Sequence, residues 1–165
     1  RISKSAMSSI YLYNVPKQFK CEATDNWYSS DSPAFSSDGN YLFFASNRDF
    51  NPTYSWTEWN NAYTDMSKVY FITLSKSTPN PLRPEVDEVN ILKKDSVKSP
   101  EESSTKEISV DTTDIKERIV VLPIDASGYH GISVVNDMVY YLKKSSEPPV
   151  KIVPLSLSHR VREIF

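Results

Sequence analysis

The sequence predicts an all-β fold built from short antiparallel strands. Three observations carry that expectation. Runs of β-branched and aromatic residues recur with turn signals at intervals of roughly 8–12 residues. Proline (11) and tyrosine (10) are abundant while glycine (3) is scarce, a balance that favours strands and turns. No segment shows a convincing helical period.

The elements follow in chain order. Residues 9–15, SIYLYNV, form the first strand and stop at Pro16. Residues 17–31 turn polar around Trp27 and Tyr28 and read as irregular. Ser32 to Ser36 is a short strand with Pro33 near its start, where a missing amide is tolerated. Ser37-Asp38-Gly39-Asn40 supplies a turn, because glycine accepts positive φ and aspartate bonds its own backbone. Tyr41 to Ala45 is apolar on both faces, the pattern of a strand buried between packed sheets. Residues 50–67 form a polar, aromatic-studded insertion, and 68–75, KVYFITLS, are the next strand.

Residues 77–85 are proline-punctuated coil, and 93–107, KKDSVKSPEESSTKE, are charged and serine-rich. Such a stretch cannot bury enough apolar surface to offset its ordering entropy, so it reads as a linker or mobile loop. Strands return at Arg118–Leu122, Gly131–Val135, Met138–Leu142 and Lys151–Leu157, with turns at Ser127-Gly128 and Asn136-Asp137. The units resemble one another: strand, Asx turn, strand, turn, then VYFITLS or VKIVPLS. That self-similarity favours a β-propeller over a sandwich or barrel, since four-stranded blades repeat about every 40–45 residues.

Bulk properties narrow the function. The chain has 165 residues, 39% hydrophobic and 24% charged, with a net charge of -2. A compact body of that size could bury roughly 70% of its unfolded surface. No basic field of the kind nucleic acid requires is visible. No apolar run reaches membrane-spanning length and no signal peptide is evident. The chain begins with Arg1 rather than Met, as a piece of a longer protein would. A single cysteine, Cys21, excludes an intrachain disulfide and argues against a thiolate zinc site. No cofactor is implied, and the compartment is left open.

Chemistry-bearing motifs are sparse. His130 and His159 are the only histidines, and neither has a Cys, Asp or Glu at metal-ligand spacing. No G-x-S-x-G elbow occurs, and three glycines do not make a phosphate cradle. Asp87-Glu88 and Glu101-Glu102 are carboxylate pairs in polar sequence, which suits a solvated surface better than an acid/base dyad. The constellation worth weighing is Tyr54, Trp56, Trp59 and Tyr63, beside Asn60 and Asn61. Those rings could form a platform for peptide or sugar, or clamp the insertion onto a neighbouring blade. Arg48-Asp49 reads first as a turn-stabilising ion pair at a strand end, and second as a substrate contact.

The run SPAFSSDGNYLFFASNRD, Ser32 to Asp49, resembles the WD-like blade motif of TolB, dipeptidyl peptidase and tricorn propellers. The stretch Arg48-Asp49-Phe50-Asn51-Pro52-Thr53-Tyr54-Ser55, followed by Val69–Leu74 and Lys76–Leu82, is similar to tricorn protease homologues. Asp114–Pro123, with Gly128-Tyr129 after it, continues that similarity. The resemblance implies an incomplete β-propeller of four-stranded antiparallel blades, with parts of two propellers. Residues 1–92 would be closing blades of the first, 93–109 a linker, and 110–165 the opening blade of the second. It also implies a parent serine peptidase with PDZ-like and peptidase domains outside this chain, a peptide substrate and homo-oligomeric assembly. The family's catalytic residues sit in those other domains, so no catalytic residue carries over. This chain would be a non-catalytic segment that gates or guides short peptides. A free-standing TolB-like binding module for protein or glycan is the alternative.

Overall fold

A computed structural model describes residues 7–49, 53–54, 61–62, 65–83, 108–136, 138–144 and 151–156. Their strands are β1 (Tyr11–Asn14), β2 (Phe19–Glu22), β3 (Ser30–Phe35), β4 (Tyr41–Ser46), β5 (Thr53–Tyr54) and β6 (Asn61–Ala62). They continue as β7 (Lys68–Thr73), β8 (Ile119–Val121), β9 (Tyr129–Val135), β10 (Met138–Lys143) and β11 (Lys151–Ser156). The one helical element among the described residues is a single 3-10 turn, Ile115–Arg118. The expected all-β class of antiparallel sheets holds.

The central sheet has four strands in the order β3-β4-β7-β8, and all pairings are antiparallel. β4 and β7 are its inner strands, and almost every residue in both is buried. Alternation along a strand sends successive side chains to opposite faces. Phe43, Ala45, Val69 and Phe71 therefore pack on one side, against Ile132, Val139 and Tyr141 of the β9–β11 sheet. Leu42, Phe44, Tyr70 and Ile72 pack on the other, against Leu12 and Cys21 of the β1–β2 hairpin. One sheet is thus pressed between two others, the arrangement of a blade with a neighbour on each face. This is why Tyr41–Ala45 lacks a polar face. Cys21 is half-buried in that interface, as a small hydrophobe.

Two elements differ from the sequence expectation. β2 forms within the stretch read as irregular, because Phe19–Glu22 pairs with β1 and Cys21 then adds to the apolar interface. The second difference concerns the charged stretch. β8 lies beyond it in sequence, yet it pairs with β7 through Tyr70↔Val121, Phe71↔Val120 and Ile72↔Ile119. The strand after residues 93–109 therefore completes the sheet formed before them. Residues 93–107 themselves lie outside the described residues.

The β3–β4 turn is built as the sequence predicts. Gly39 N–H donates to the Ser36 carbonyl at 3.0 Å, with Gly39 at φ 71. Burial alone would raise the Asp38 carboxyl; hydrogen bonds from Ser36 and from the Asn40 backbone and side chain hold it below the usual range. A Cβ at Gly39 would lie 2.8 Å from Ile108 Cγ1. Gly39→Ala is expected to destabilise the blade by about 1–2 kcal/mol, the left-handed backbone costing most because the half-exposed Ile108 can yield. Urea unfolding of the variant checks this, and an unchanged midpoint would show that the turn tolerates a β-carbon.

Candidate functional site

The end of the blade opposite the Asp38 turn carries two ion pairs and a cation–π contact. β4 ends at Ser46, and the backbone continues through Asn47, Arg48 and Asp49 toward the aromatic insertion. Arg48 and Asp49 do not pair with each other, which corrects the simple ion-pair expectation. Neighbours on extended backbone point in opposite directions. Arg48 Nη2 instead lies 3.0 Å from Asp25 Oδ2, and Lys68 Nζ lies 2.7 Å from Asp49 Oδ2. The Arg48 guanidinium also sits 5.7 Å from the centre of the Tyr28 ring, within cation–π range.

Burial shapes the electrostatics here. Tyr70, the third residue of β7, has its phenol pushed up to about 12, first by burial and then by the Asp49 carboxylate. The Arg48 charge opposes this first, and the Asp49 main-chain N–H, hydrogen-bonded to the phenol, second. Arg48 Nε and Nη2 are buried with no well-formed hydrogen bond, although Nη2 remains within ion-pair distance of Asp25. The Arg48–Asp25 contact is therefore electrostatic rather than an aligned fork. Ser30 Oγ donates to Ser46 Oγ at 3.0 Å, and Ser46 Oγ donates to the Ser29 carbonyl at 3.0 Å. These bonds lock the start of β3 to the end of β4. Together the groups brace the point where the insertion leaves the sheet.

Of the four candidate ring residues, Tyr54 lies in β5 and pairs with Asn61 of β6. Trp56, Trp59 and Tyr63 lie outside the described residues, as do His159, Asp87-Glu88 and Glu101-Glu102. The sequence reading singled out no role for Trp27, which stands 81% exposed in the β2–β3 loop. Its signal was an aromatic pair, Trp27-Tyr28, inside an otherwise polar turn region. His130 is exposed on β9. Among the described residues, no group of three or more His, Cys, Asp or Glu could hold a metal ion. No helix among them is long and apolar enough to cross a membrane.

A four-stranded blade with sheets stacked on both faces defines the molecule as part of a β-propeller. Residues 2–155 match the family described as the tricorn protease second beta propeller domain, and the chain belongs to that family. It is 31% identical over 137 residues to Tricorn protease homolog 1 of Streptomyces coelicolor (strain ATCC BAA-471 / A3(2) / M145). That match covers 83% of this chain and 13% of the relative. The fold also matches the crystal structure of the tricorn protease, with a TM-score of 0.68 and 19% identity over 92% of this chain. The chain corresponds to 14% of that solved chain.

Proposed function

We propose that this chain is a non-catalytic propeller segment of a tricorn-like serine peptidase, which guides or gates short peptides toward a peptidase core outside it. The observation that carries this reading is the stacking of one complete blade between two further sheets, in a chain of the tricorn second-propeller family. Blades set around an axis leave a central passage lined by their innermost strands. In the central sheet that place falls to β3, and in the following sheet to β9. Each is the first strand of its sheet, and each has an exposed row. Asp31, Pro33 and Phe35 form one row, and His130, Ser133 and Val135 the other. A passage of fixed width discriminates by size without bond-making chemistry.

We also read β3–β8 and β9–β11 as consecutive blades of one propeller. The pairing of β8 with β7 across residues 93–109 supports this, as does a family match that runs unbroken from 2 to 155.

The gating reading is tested by narrowing the passage in the intact parent protein. Ser133→Trp is expected to lower kcat/KM for longer peptides several-fold more than for a dipeptide-sized reporter. Labelling of the catalytic serine by a small reactive probe should stay unchanged. Equal hydrolysis of all peptide lengths by the variant would remove the gate from this propeller. Labelling of the isolated chain by the probe would contradict its non-catalytic assignment.

A further inference from the structure

The two innermost strands share an irregularity. In β3 the register against β4 shifts between Asp31 and Ala34, and Ser32 has φ 52. In β9 the register against β10 shifts between His130 and Ser133, where Tyr140 and Leu142 are the partners, and Gly131 has φ 61. Both strands thus carry a bulge at their third residue, opened by a left-handed backbone. Ser32 and Gly131 occupy equivalent places in consecutive sheets.

The equivalent places touch. Gly131 N–H donates to Ser32 Oγ at 3.3 Å. Five residues further along the chain in each case, in the turns that follow β3 and β9, Asn136 N–H donates to Ser37 Oγ at 3.1 Å. Both bonds join residues 99 apart in sequence, so β3 and β9 run side by side in the same direction and in one register. These are bonds between sheets, outside either ladder. The Ser32 hydroxyl proton is committed elsewhere, donated to Asp31 Oδ1 at 3.0 Å. That leaves the Oγ lone pair for Gly131, and donation to a carboxylate makes the oxygen a better acceptor.

We propose that Ser32 and Ser37 form a two-point stitch between consecutive blades, fixing the innermost strands against each other. The choice of residue at position 32 supports this. Glycine would serve a backbone at φ 52 with less strain, and a non-glycine residue there is uncommon. Serine adds what glycine lacks, an acceptor aimed at the next blade. The stitch also has a direction. Gly131 has no side chain, so a blade following β9 has no hydroxyl acceptor at its bulge. Ser32 and Ser37 are positioning residues: they hold the exposed rows of β3 and β9 side by side.

The test is residue-resolved hydrogen exchange on the intact parent protein. Ser32→Gly removes the hydroxyl without straining the backbone, and Ser37→Ala removes the second acceptor. In the double variant, exchange at the Gly131 and Asn136 amides is expected to rise about tenfold, the scale of one lost hydrogen bond. The amides of Phe43 and Phe71, deep in the central sheet, should keep their rates. Ser37→Ala alone should accelerate Asn136 and leave Gly131, which gives a reading even if the double variant folds poorly. Unchanged rates at both amides would overturn the stitch. A uniform rise that includes Phe43 and Phe71 would also overturn it, because the serines would then support the blade rather than join two blades.

Discussion

Phe71→Ala is expected to destabilise the propeller by about 3–5 kcal/mol, a large share of the 5–15 kcal/mol typical of a folded domain. Phe71 is fully buried in the middle of β7, opposite Phe43 on β4 and Val120 on β8. Its ring centre lies 5.7 Å from that of Phe43 and 5.8 Å from that of Tyr41, edge-on to the latter. The same cluster reaches Val139 and Tyr141 in the next sheet. Removing the ring would thus open a cavity within the blade and at its seam with a neighbour. Phe71→Leu keeps much of the volume and should cost about 1–2 kcal/mol. Phe35→Ala, on a ring 47% exposed at the end of β3, should cost under about 1 kcal/mol. Pulse proteolysis in urea on the intact protein would rank the three. If Phe71→Ala fell within about 1 kcal/mol of Phe35→Ala, the seam would not be a packed core.

That ranking was partly legible in the sequence. Tyr41–Ala45 has no polar face, and only burial on both sides makes such a strand soluble. Asp38-Gly39 likewise announced its turn through local chemistry. β2 was harder to see. Phe19-Lys20-Cys21-Glu22 becomes a strand because β1 is its partner, and only Cys21 packs into the interface. The 3-10 turn was silent for a similar reason: Ile115 is its single buried residue. β8 was visible as a strand but its partner was not. Pairing Phe71 with Val120 closes a loop of nearly fifty residues, and no local pattern encodes a contact that distant.

The brace at the other end of the blade shows the same division. The sequence placed Arg48 and Asp49 together as a structural feature, and each does form an ion pair. Their partners, Asp25 and Lys68, come from elsewhere in the chain and could not be named from adjacency. The Trp27-Tyr28 pair was visible in the sequence, but two adjacent aromatics leave no periodic trace that would say which ring is exposed.

Arg118→Ala is expected to cost about 2–3 kcal/mol and to loosen the outer edge of the central sheet first. The prediction rests on how the chain rejoins that sheet. Arg118 sits where the 3-10 turn hands over to β8. Its guanidinium donates to four main-chain carbonyls: Nε to Thr73 at 2.9 Å, Nη1 to Thr113 at 2.8 Å, Nη2 to Leu74 at 3.3 Å, and Nη2 also to Asp111. Two of these acceptors close β7, and two belong to the returning segment. Asp111 adds a reciprocal clasp, accepting from Lys76 N–H at 2.8 Å and Ser75 Oγ at 3.1 Å.

A bond from a charged donor contributes about 1.5–3 kcal/mol, but Arg118 is only half-buried and its bonds share one side chain, so they do not add. Alanine would take the side-chain donor from the Thr73 carbonyl at the end of β7, while the Leu74 carbonyl keeps the Asp111 N–H, and would release β8, a strand of three residues with little pairing of its own. Hydrogen exchange should register this at the Leu122 amide, which donates to the Val69 carbonyl at 3.0 Å, before it registers in β4. Arg118→Lys decides between a fork and a charge. Lysine keeps the charge but cannot span four carbonyls in a plane, so it should recover less than half of the lost stability. Full recovery by lysine would mean that one positive charge near the end of β7 is enough, and that the fork does not hold the returning strand in place.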